Sequence, residues 1–227
     1  MIVYGRNPVR EALRGRRRVR RVWAAVELPW LGEEEVQPVG PAELERLCGS
    51  PEHQGVCADV GPYPYSDADE LLAAEDALVV CLDEVQDPHN LGAVCRVADS
   101  AGAAGVVIPE RRSAEVTPAV CKAAAGAVEH LPVARVRNLA DWLGRAKGAG
   151  TWVYGAAAGA ETRYDRPDYS GRVVLVLGSE GRGLRPRVAG ACDHLIALPQ
   201  RGKVKSLNVA TAAAALLYGI LQSRGRT

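Results

Sequence analysis

The sequence predicts an α/β protein, and two observations carry that prediction. Several segments are apolar along nearly their whole length, among them 77–82 and 172–177, which is typical of strands buried on both faces. Segments with the spacing of amphipathic helices lie between them. In 90–101, for example, Val94 and Val97 fall on one apolar face. Because such strands and helices alternate, we expect a mostly parallel sheet covered on both sides.

The composition limits the class of protein. The 227 residues allow one large domain, or a small domain and a medium one, and 48% hydrophobic residues can form a core without any Phe. The net charge of +1 favours no particular partner. Six cysteines without a C-x-x-C pair indicate buried thiols in a reducing compartment, not disulfides or a metal site. No signal pattern is seen and the longest apolar run, 209–221, is short, so we expect a cytoplasmic protein.

The first sixty residues predict a small α/β unit, with strands at 21–26 and 55–60 and a helix at 41–48. Turn-forming and charged residues at 61–69 then mark a boundary. We therefore expect a first domain over 1–62, a linker over 63–76 and a second domain over 77–227. The first domain carries an arginine cluster that includes Arg16, Arg17 and Arg18, which fits either a phosphate-binding surface or a solvated charged turn.

The second domain has the alternating pattern throughout. Its predicted strands are 77–82, 105–108, 131–136, 151–156, 172–177 and 194–198, and its predicted helices are 90–101, 117–128, 138–147 and 207–222. Ligands of parallel sheets bind at the carboxyl ends of the strands, so the loops that follow three of these strands are the places to look for chemistry.

The first of these loops spans 82–92 and leads into a helix. Asn90 can cap that helix. Arg96 falls on its polar face, where it either serves chemistry or pairs with Asp99 at a gain of under about 1 kcal/mol.

The second loop, 177–184, has the order G-x-x-G-x-G after the fifth strand of the domain, whereas a dinucleotide fold has G-x-G-x-x-G after its first strand. It is either a tight turn or a place where backbone approaches a ligand.

The third loop, 198–209, opens the last helix. Ser206 can cap this helix, and Arg201, Lys203 and Lys205 add positive charge that favours an anion. The helix is apolar nearly all round, so we expect it to be buried, with alanines that allow close approach of another helix or a second subunit. Composition and spacing thus predict a small-ligand pocket beside basic, nucleic-acid-facing loops, but they do not establish a reaction.

Together the three loops resemble the SpoU/TrmH branch of the SPOUT RNA methyltransferases. The matching segments are 87–92 (DPHNLG) with Arg96, 177–183 (LGSEGRG) and 206–209 (SLNV). Residues 3–9 resemble the start of the family's small substrate-binding domain, and 113–114 and 126–129 extend the match over nearly the whole chain. Within the family the chain is most similar to enzymes that methylate a guanosine ribose of large-subunit rRNA.

The resemblance implies a methyl transfer from S-adenosylmethionine to a ribose 2′-hydroxyl, a homodimer, no metal, and a C-terminal trefoil knot that forms the cofactor pocket. It implies three sets of site residues. The catalytic residues are Arg96, Asn90, Glu180, Ser206 and Asn208; the cofactor-binding residues are Gly178, Gly183, Leu198, Pro199, Ser206 and Leu207; the RNA-binding residues are Arg16, Arg17, Arg18, Lys203 and Lys205. The chain departs from the family at Lys203 and Lys205, where relatives carry small residues.

The family's mechanism assigns the 2′-hydroxyl proton to the arginine that corresponds to Arg96. A guanidinium is hard to deprotonate in a protein, so we expect Arg96 to stabilise the forming alkoxide instead, with the proton leaving through phosphate or water. Three alternatives stay open: a tRNA 2′-O-methyltransferase, a non-catalytic RNA-binding protein of the same fold, and a nicotinamide-dependent dehydrogenase. The position of the glycines argues against the last.

Overall fold

The computed structural model describes residues 1–32, 36–203 and 206–225. Its first part is a four-stranded sheet of order β1-β4-β2-β3, in which β4 runs antiparallel to both of its neighbours. The strands are β1 (Ile2–Tyr4), β2 (Val19–Ala24), β3 (Val36–Pro38) and β4 (Val56–Val60), and the helices are α1 (Arg6–Arg14) and α2 (Pro41–Cys48). The sequence predicted β2, α2 and β4. It did not predict β1 and β3, which have only three residues each, or α1, whose many charges hide its buried positions.

The second part is a seven-stranded sheet of order β7-β6-β5-β10-β8-β11-β9, and all of its strand pairs are parallel. This confirms the α/β class and the mostly parallel sheet. The strands are β5 (Leu78–Asp83), β6 (Gly105–Pro109), β7 (Val133–Val136), β8 (Trp152–Ala156), β9 (Thr162–Arg163), β10 (Val173–Gly178) and β11 (His194–Ala197).

Helices cover both faces of this sheet. They are α3 (Pro88–Ser100), α4 (Pro118–Ala123), α5 (Leu139–Gly148), α6 (Pro186–Ala189) and α7 (Val209–Arg224). On one face α3 packs against α4 and α7, and on the other α5 and α6 bury a separate apolar cluster around Trp142. The helix predicted over 117–128 ends at Ala123, because Ala125 and Gly126 have positive φ angles.

One further expectation about a helix is corrected. Helix α7 is not buried all round, since a row of its residues is exposed in the single chain, namely Thr211, Ala215, Tyr218 and Gln222. None of the helices in the described residues is long and apolar enough to cross a bilayer. The thiols fit the prediction: four of the six cysteines are buried, and burial raises the pKa of Cys95 to about 12 and that of Cys121 to about 11.

The segment 63–76, expected to be a linker, packs against the second sheet. The carbonyls of Val128 and Leu131 both lie 3.2 Å from the Tyr63 hydroxyl oxygen and share its one proton as acceptors. Ser66 makes a parallel bridge with Ala134 at the edge of the sheet. One apolar core continues from the first sheet into the second, so the two parts are in close contact.

Arg17 lies in this contact and not on the RNA-binding surface predicted for it. Its guanidinium, 2% exposed, forms a bidentate ion pair with the fully buried carboxylate of Glu129. Burial would lower the pKa of Arg17, but the hydrogen bonds with Glu129 outweigh that effect and raise it. The expectation that Arg17 binds RNA is therefore wrong in this structure, because no face of its guanidinium is open to a phosphate.

Candidate active site

The three loops chosen from the sequence meet at one edge of the second sheet through a network of three side chains. Asn90 Nδ2 donates to Glu180 Oε1 at 3.0 Å, and Asn208 Nδ2 donates to the same oxygen at 2.7 Å. Asn208 Nδ2 also lies 2.8 Å from Asn90 Oδ1. One carboxylate thus joins the start of α3 to the start of α7, across 118 residues of chain.

Helix capping differs from the prediction in a way that explains this network. Asn208 caps α7, since its Oδ1 accepts hydrogen bonds from the backbone of Ala210 and Thr211. Asp87, not Asn90, caps α3 by accepting from His89 N. Asn90 is consequently free to turn its amide toward Glu180, and Ser206 lies exposed before α7 without a capping role.

Arg96 lies on the exposed face of α3, six residues beyond Asn90. Six residues correspond to about 9 Å along a helix axis. Its backbone carbonyl accepts a hydrogen bond from Ser100 Oγ. Within residues 1–32, 36–203 and 206–225 its guanidinium makes no ion pair, so the alternative pairing with Asp99 is not formed. The structure does not link Arg96 to the Asn90–Glu180–Asn208 network by hydrogen bonds.

The glycine loop is both a tight turn and a wall of a pocket. A side chain on Gly178 would place its Cβ 2.1 Å from the carbonyl carbon of Gly183, so only glycine allows the two strands of the loop to close. Gly183 N donates to Ser179 O at 2.9 Å across the turn. Gly183 also needs its freedom for a φ of 68°.

A cavity of about 430 Å³ opens beside this loop. Its walls are mainly apolar, and they come from the glycine loop, from the chain that follows β8 and β11, and from α7. Of the predicted cofactor-binding residues, those that line it are Gly178, Gly183, Leu198, Ser206 and Leu207. Pro199 is exposed between two lining residues and, within the described part of the chain, is not itself in the wall.

Comparison with known families agrees with this architecture. Residues 77–218 match the model of the SpoU rRNA methylase family, and residues 2–66 match that of the RNA 2′-O ribose methyltransferase substrate-binding domain. The chain belongs to the SpoU family of RNA methyltransferases. The Bacillus subtilis protein YacO, assigned to the TrmH family of tRNA/rRNA methyltransferases, is 40% identical over 98% of this chain and 95% of its own length.

Solved structures of other SpoU methyltransferases have the same fold. AviRb from Streptomyces viridochromogenes, in complex with the cofactor AdoMet, aligns with a TM-score of 0.84 at 28% identity over 99% of this chain and 90% of that chain. An AdoMet-bound rRNA methyltransferase from Sinorhizobium meliloti aligns with a TM-score of 0.84 at 26% identity, covering 97% and 86% of the two chains.

The cationic residues of this SpoU methyltransferase occupy separate places. Arg16 and Arg18 are exposed in the turn between α1 and β2, on either side of the buried Arg17. Lys203 is exposed in the loop that follows β11. Lys205 lies outside the described residues. Among the described residues no cluster of His, Cys, Asp and Glu could hold a metal ion.

Sequence reasoning missed a second polar cluster behind the glycine loop. Asp83 and Glu84, at the end of β5, form ion pairs with Arg185, which follows the loop. The sequence did contain an indication of this cluster, because two carboxylates follow directly after an apolar strand and a buried carboxylate needs a positively charged partner. The partner is 102 residues away, and only the parallel pairing of β5 with β10 brings the two together.

Proposed function

We propose that this chain transfers a methyl group from S-adenosylmethionine to a ribose 2′-hydroxyl of structured RNA in the cytoplasm, with a guanosine of large-subunit rRNA as the target. The Asn90–Glu180–Asn208 network, held at the mouth of a ligand-sized cavity by three separate loops, is the observation that carries the proposal. A carboxylate fixed by two amides can orient a ribose without being consumed, which suits a group transfer.

The cavity fits S-adenosylmethionine in size and chemistry. Its volume falls in the range of roughly 300–1,000 Å³ that is common for small-ligand sites. Apolar walls from Leu177, Ile196 and Leu216 suit an adenine ring, and the closed turn of Gly178 and Gly183 lets backbone approach a ligand. The backbone N–H groups of Leu198 and Leu207 have no backbone partner within the described residues, so they are available to the cofactor. When bound, the cofactor supplies a methyl group already activated by its positively charged sulfur.

The residues of the chain supply position and charge. A ribose hydroxyl is a poor nucleophile, so its oxygen must be held at about 3–3.5 Å from the methyl carbon and in line with it. Glu180, Asn90 and Asn208 fix the ribose, and Ser206 lies beside them at the cavity. Arg96 turns toward the reacting oxygen and stabilises its developing negative charge, while the proton leaves to phosphate or water.

The assembly follows the family. The row of exposed residues on α7, with Tyr218 half-exposed beside apolar neighbours, is the surface through which two copies form a homodimer. The chain around the cavity forms the family's trefoil knot, which is supported by the way 177–184, 198–200 and 206–209 meet at one pocket. Arg16, Arg18 and Lys203 contact the RNA backbone.

A tRNA target is the second candidate, because relatives such as YacO carry a name that covers both tRNA and rRNA. The intact Asn90–Glu180–Asn208 network argues against a protein that only binds RNA.

The experiment combines ligand binding with mapping of the modification. Calorimetry should show that the protein binds S-adenosylmethionine and its demethylated product but not NADH. RNA from a strain that lacks the gene should then gain one 2′-O-methyl group in large-subunit rRNA when it is incubated with protein and cofactor. Methylation of tRNA alone would select the second candidate, and tight binding of NADH without binding of S-adenosylmethionine would refute the proposal.

A matched pair of glycine variants tests the pocket. Gly178→Ala should abolish cofactor binding, since its Cβ would collide with the backbone of Gly183, whereas Gly40→Ala should bind normally because nothing lies within 4 Å of the added carbon.

A further inference from the structure

Two residues that are not glycine have left-handed backbone conformations in the loops beside the active site. Glu84, after β5, and Arg112, after β6, both have φ angles of 58°. Side chains other than glycine adopt this conformation only at an energetic cost, which persists where the surrounding structure holds it in place. The side chains of these two residues are in contact with each other, since Arg112 Nη1 lies 3.5 Å from Glu84 Oε1.

The carboxylate of Glu84 joins two loops. The residue is 8% exposed, and the same Oε1 atom lies 3.3 Å from Arg185 Nη1. Arg185 is held in addition by the fully buried Asp83, which accepts hydrogen bonds from its backbone N at 2.8 Å and from Nε at 2.8 Å and lies 2.7 Å from its Nη2. An arginine that binds two carboxylates through several nitrogens is fixed in orientation as well as in place.

This arrangement closes the glycine loop against the end of β5. Gly178 is paired with Asp83 in the parallel register, and Arg185 returns to Asp83 and Glu84 at the other end of the loop. Glu180 is carried between these two points. Because α3 begins four residues after Glu84, the group that fixes the loop also fixes the approach to Asn90.

We propose that Glu84 is a positioning residue for the methyl transfer. Its carboxylate holds Arg185 and Arg112 so that Glu180 stays within hydrogen-bond distance of Asn90 and Asn208. The inference rests on the proposed function, and it explains why a glutamate occupies a backbone position that favours glycine. Arg112 keeps 74% of its side chain exposed while it contacts Glu84.

The test is Glu84→Gly, because it removes the carboxylate and relieves the backbone at once. If Glu84 were only a tolerated residue, the variant would be at least as stable as the wild type and would keep its activity. We expect instead that kcat at saturating cofactor and RNA falls by about 10- to 100-fold, as for other small displacements of reacting groups, while the melting temperature changes by a few degrees at most. Glu84→Gln keeps the length of the side chain but removes its charge, so its kcat should lie between that of the wild type and that of Glu84→Gly.

Ala125→Gly is the matched control. Ala125 also has a positive φ, 51°, so the substitution relieves the same strain without removing a side chain that contacts Arg185, Arg112 or the Asn90–Glu180–Asn208 network, and it should leave kcat unchanged.

Amide hydrogen exchange provides a readout that does not depend on activity. The Gly183 amide, bonded to Ser179 O, should exchange at least ~10-fold faster in Glu84→Gly, since opening of the loop exposes it. If the wild type methylates no RNA, the proposed function fails and the exchange result still decides the role of Glu84. The inference would be overturned if, in Glu84→Gly, the Gly183 amide exchanged at the wild-type rate and kcat stayed within twofold of the wild-type value.

Discussion

Arg17 and Arg96 show how the same side chain takes opposite roles according to its surroundings. Arg17 is enclosed between the two parts of the chain and neutralises the buried Glu129. Arg96 is exposed on α3, and the described residues offer its guanidinium no acidic partner. A buried ion pair of this kind is costly to break because the remaining charge has no water to solvate it. An exposed arginine without a partner contributes little to stability.

Arg96→Ala should leave the fold intact and slow the reaction strongly. We expect the free energy of unfolding to change by under about 0.5 kcal/mol, because the side chain is exposed. Turnover should fall by roughly 10²–10³, the loss seen when a group that stabilises transition-state charge is removed. Single-turnover methylation and thermal melting on one preparation separate the two effects. Arg96→Lys keeps the positive charge but loses the planar guanidinium with its several donors, so it tests whether that geometry is needed. Arg145→Ala, which removes an exposed arginine from α5, is the control. Near wild-type turnover in Arg96→Ala would turn attention to Glu180 and Asn208.

Arg17→Ala should destabilise the protein by about 3–5 kcal/mol, because it leaves Glu129 charged and buried without a partner. The neighbouring Arg16→Ala should cost under about 0.5 kcal/mol, since Arg16 is exposed. Replacing both members of the pair, as in Arg17→Met with Glu129→Leu, should recover much of the loss. Denaturant unfolding measures all three. A loss below about 1 kcal/mol in Arg17→Ala would mean that water reaches Glu129.

Among the elements, α3 matters most, because it carries both Asn90 and Arg96 and packs against α4 and α7. Its approach to α4 depends on Gly92, where an added Cβ would lie 2.5 Å from Ala123 Cβ and 2.7 Å from Val120 O. The glycine in the segment 87–92 is therefore a packing requirement of the helix pair. Because Asn90 and Gly92 are both in α3, this close approach also determines the position from which Asn90 reaches Glu180.

Gly92→Ala should destabilise the protein by about 1–3 kcal/mol, since an extra carbon between two packed helices forces them apart. The displacement of α3 should also weaken methylation. Gly144→Ala, in α5 with nothing within 4 Å of the added carbon, should do the opposite and stabilise by about 0.5–1 kcal/mol. Thermal or denaturant unfolding distinguishes the two. Equal stability of both variants would show that α3 and α4 can separate without cost.

Across the whole molecule, the two sheets form one unit joined by a continuous apolar core, the packed segment 63–76 and the Arg17–Glu129 pair. The segment that matches the substrate-binding family model therefore packs against the part of the chain that carries the Asn90–Glu180–Asn208 network. The exposed Arg16 and Arg18 belong to the first part of the chain and the exposed Lys203 to the second.

Arg16→Ala combined with Arg18→Ala should weaken RNA binding and reduce its dependence on salt. If each arginine neutralises one phosphate, the slope of log K against log salt should fall in magnitude by roughly 1.4–1.8. Binding of S-adenosylmethionine should not change, because the cavity is formed by the second part of the chain. The control is Arg145→Ala with Arg187→Ala, two exposed arginines on α5 and α6. An unchanged slope in the first pair would make the cluster a solvated turn.

The sequence by itself determined the fold class, most strands and helices of the second sheet, the three loops of the site and the family. These are local properties, because apolar periodicity, turn residues and short motifs are written in neighbouring positions. The caps of α3 and α7 were misassigned, since each helix start offers several polar residues and only the three-dimensional arrangement decides which one bonds the backbone.

Only the tertiary structure decided which charged residues are buried and which partners they bind. It buried Arg17 within a cluster of exposed arginines, and it brought Asp83 and Glu84 to Arg185. It also joined Asn90 and Asn208 through Glu180. In each case the partner lies about 30 to 120 residues away in the sequence, and a charge is stabilised or left to solvent by what packs beside it. That neighbourhood arises from the order of parallel strands and the contact between the two sheets, which no local pattern encodes.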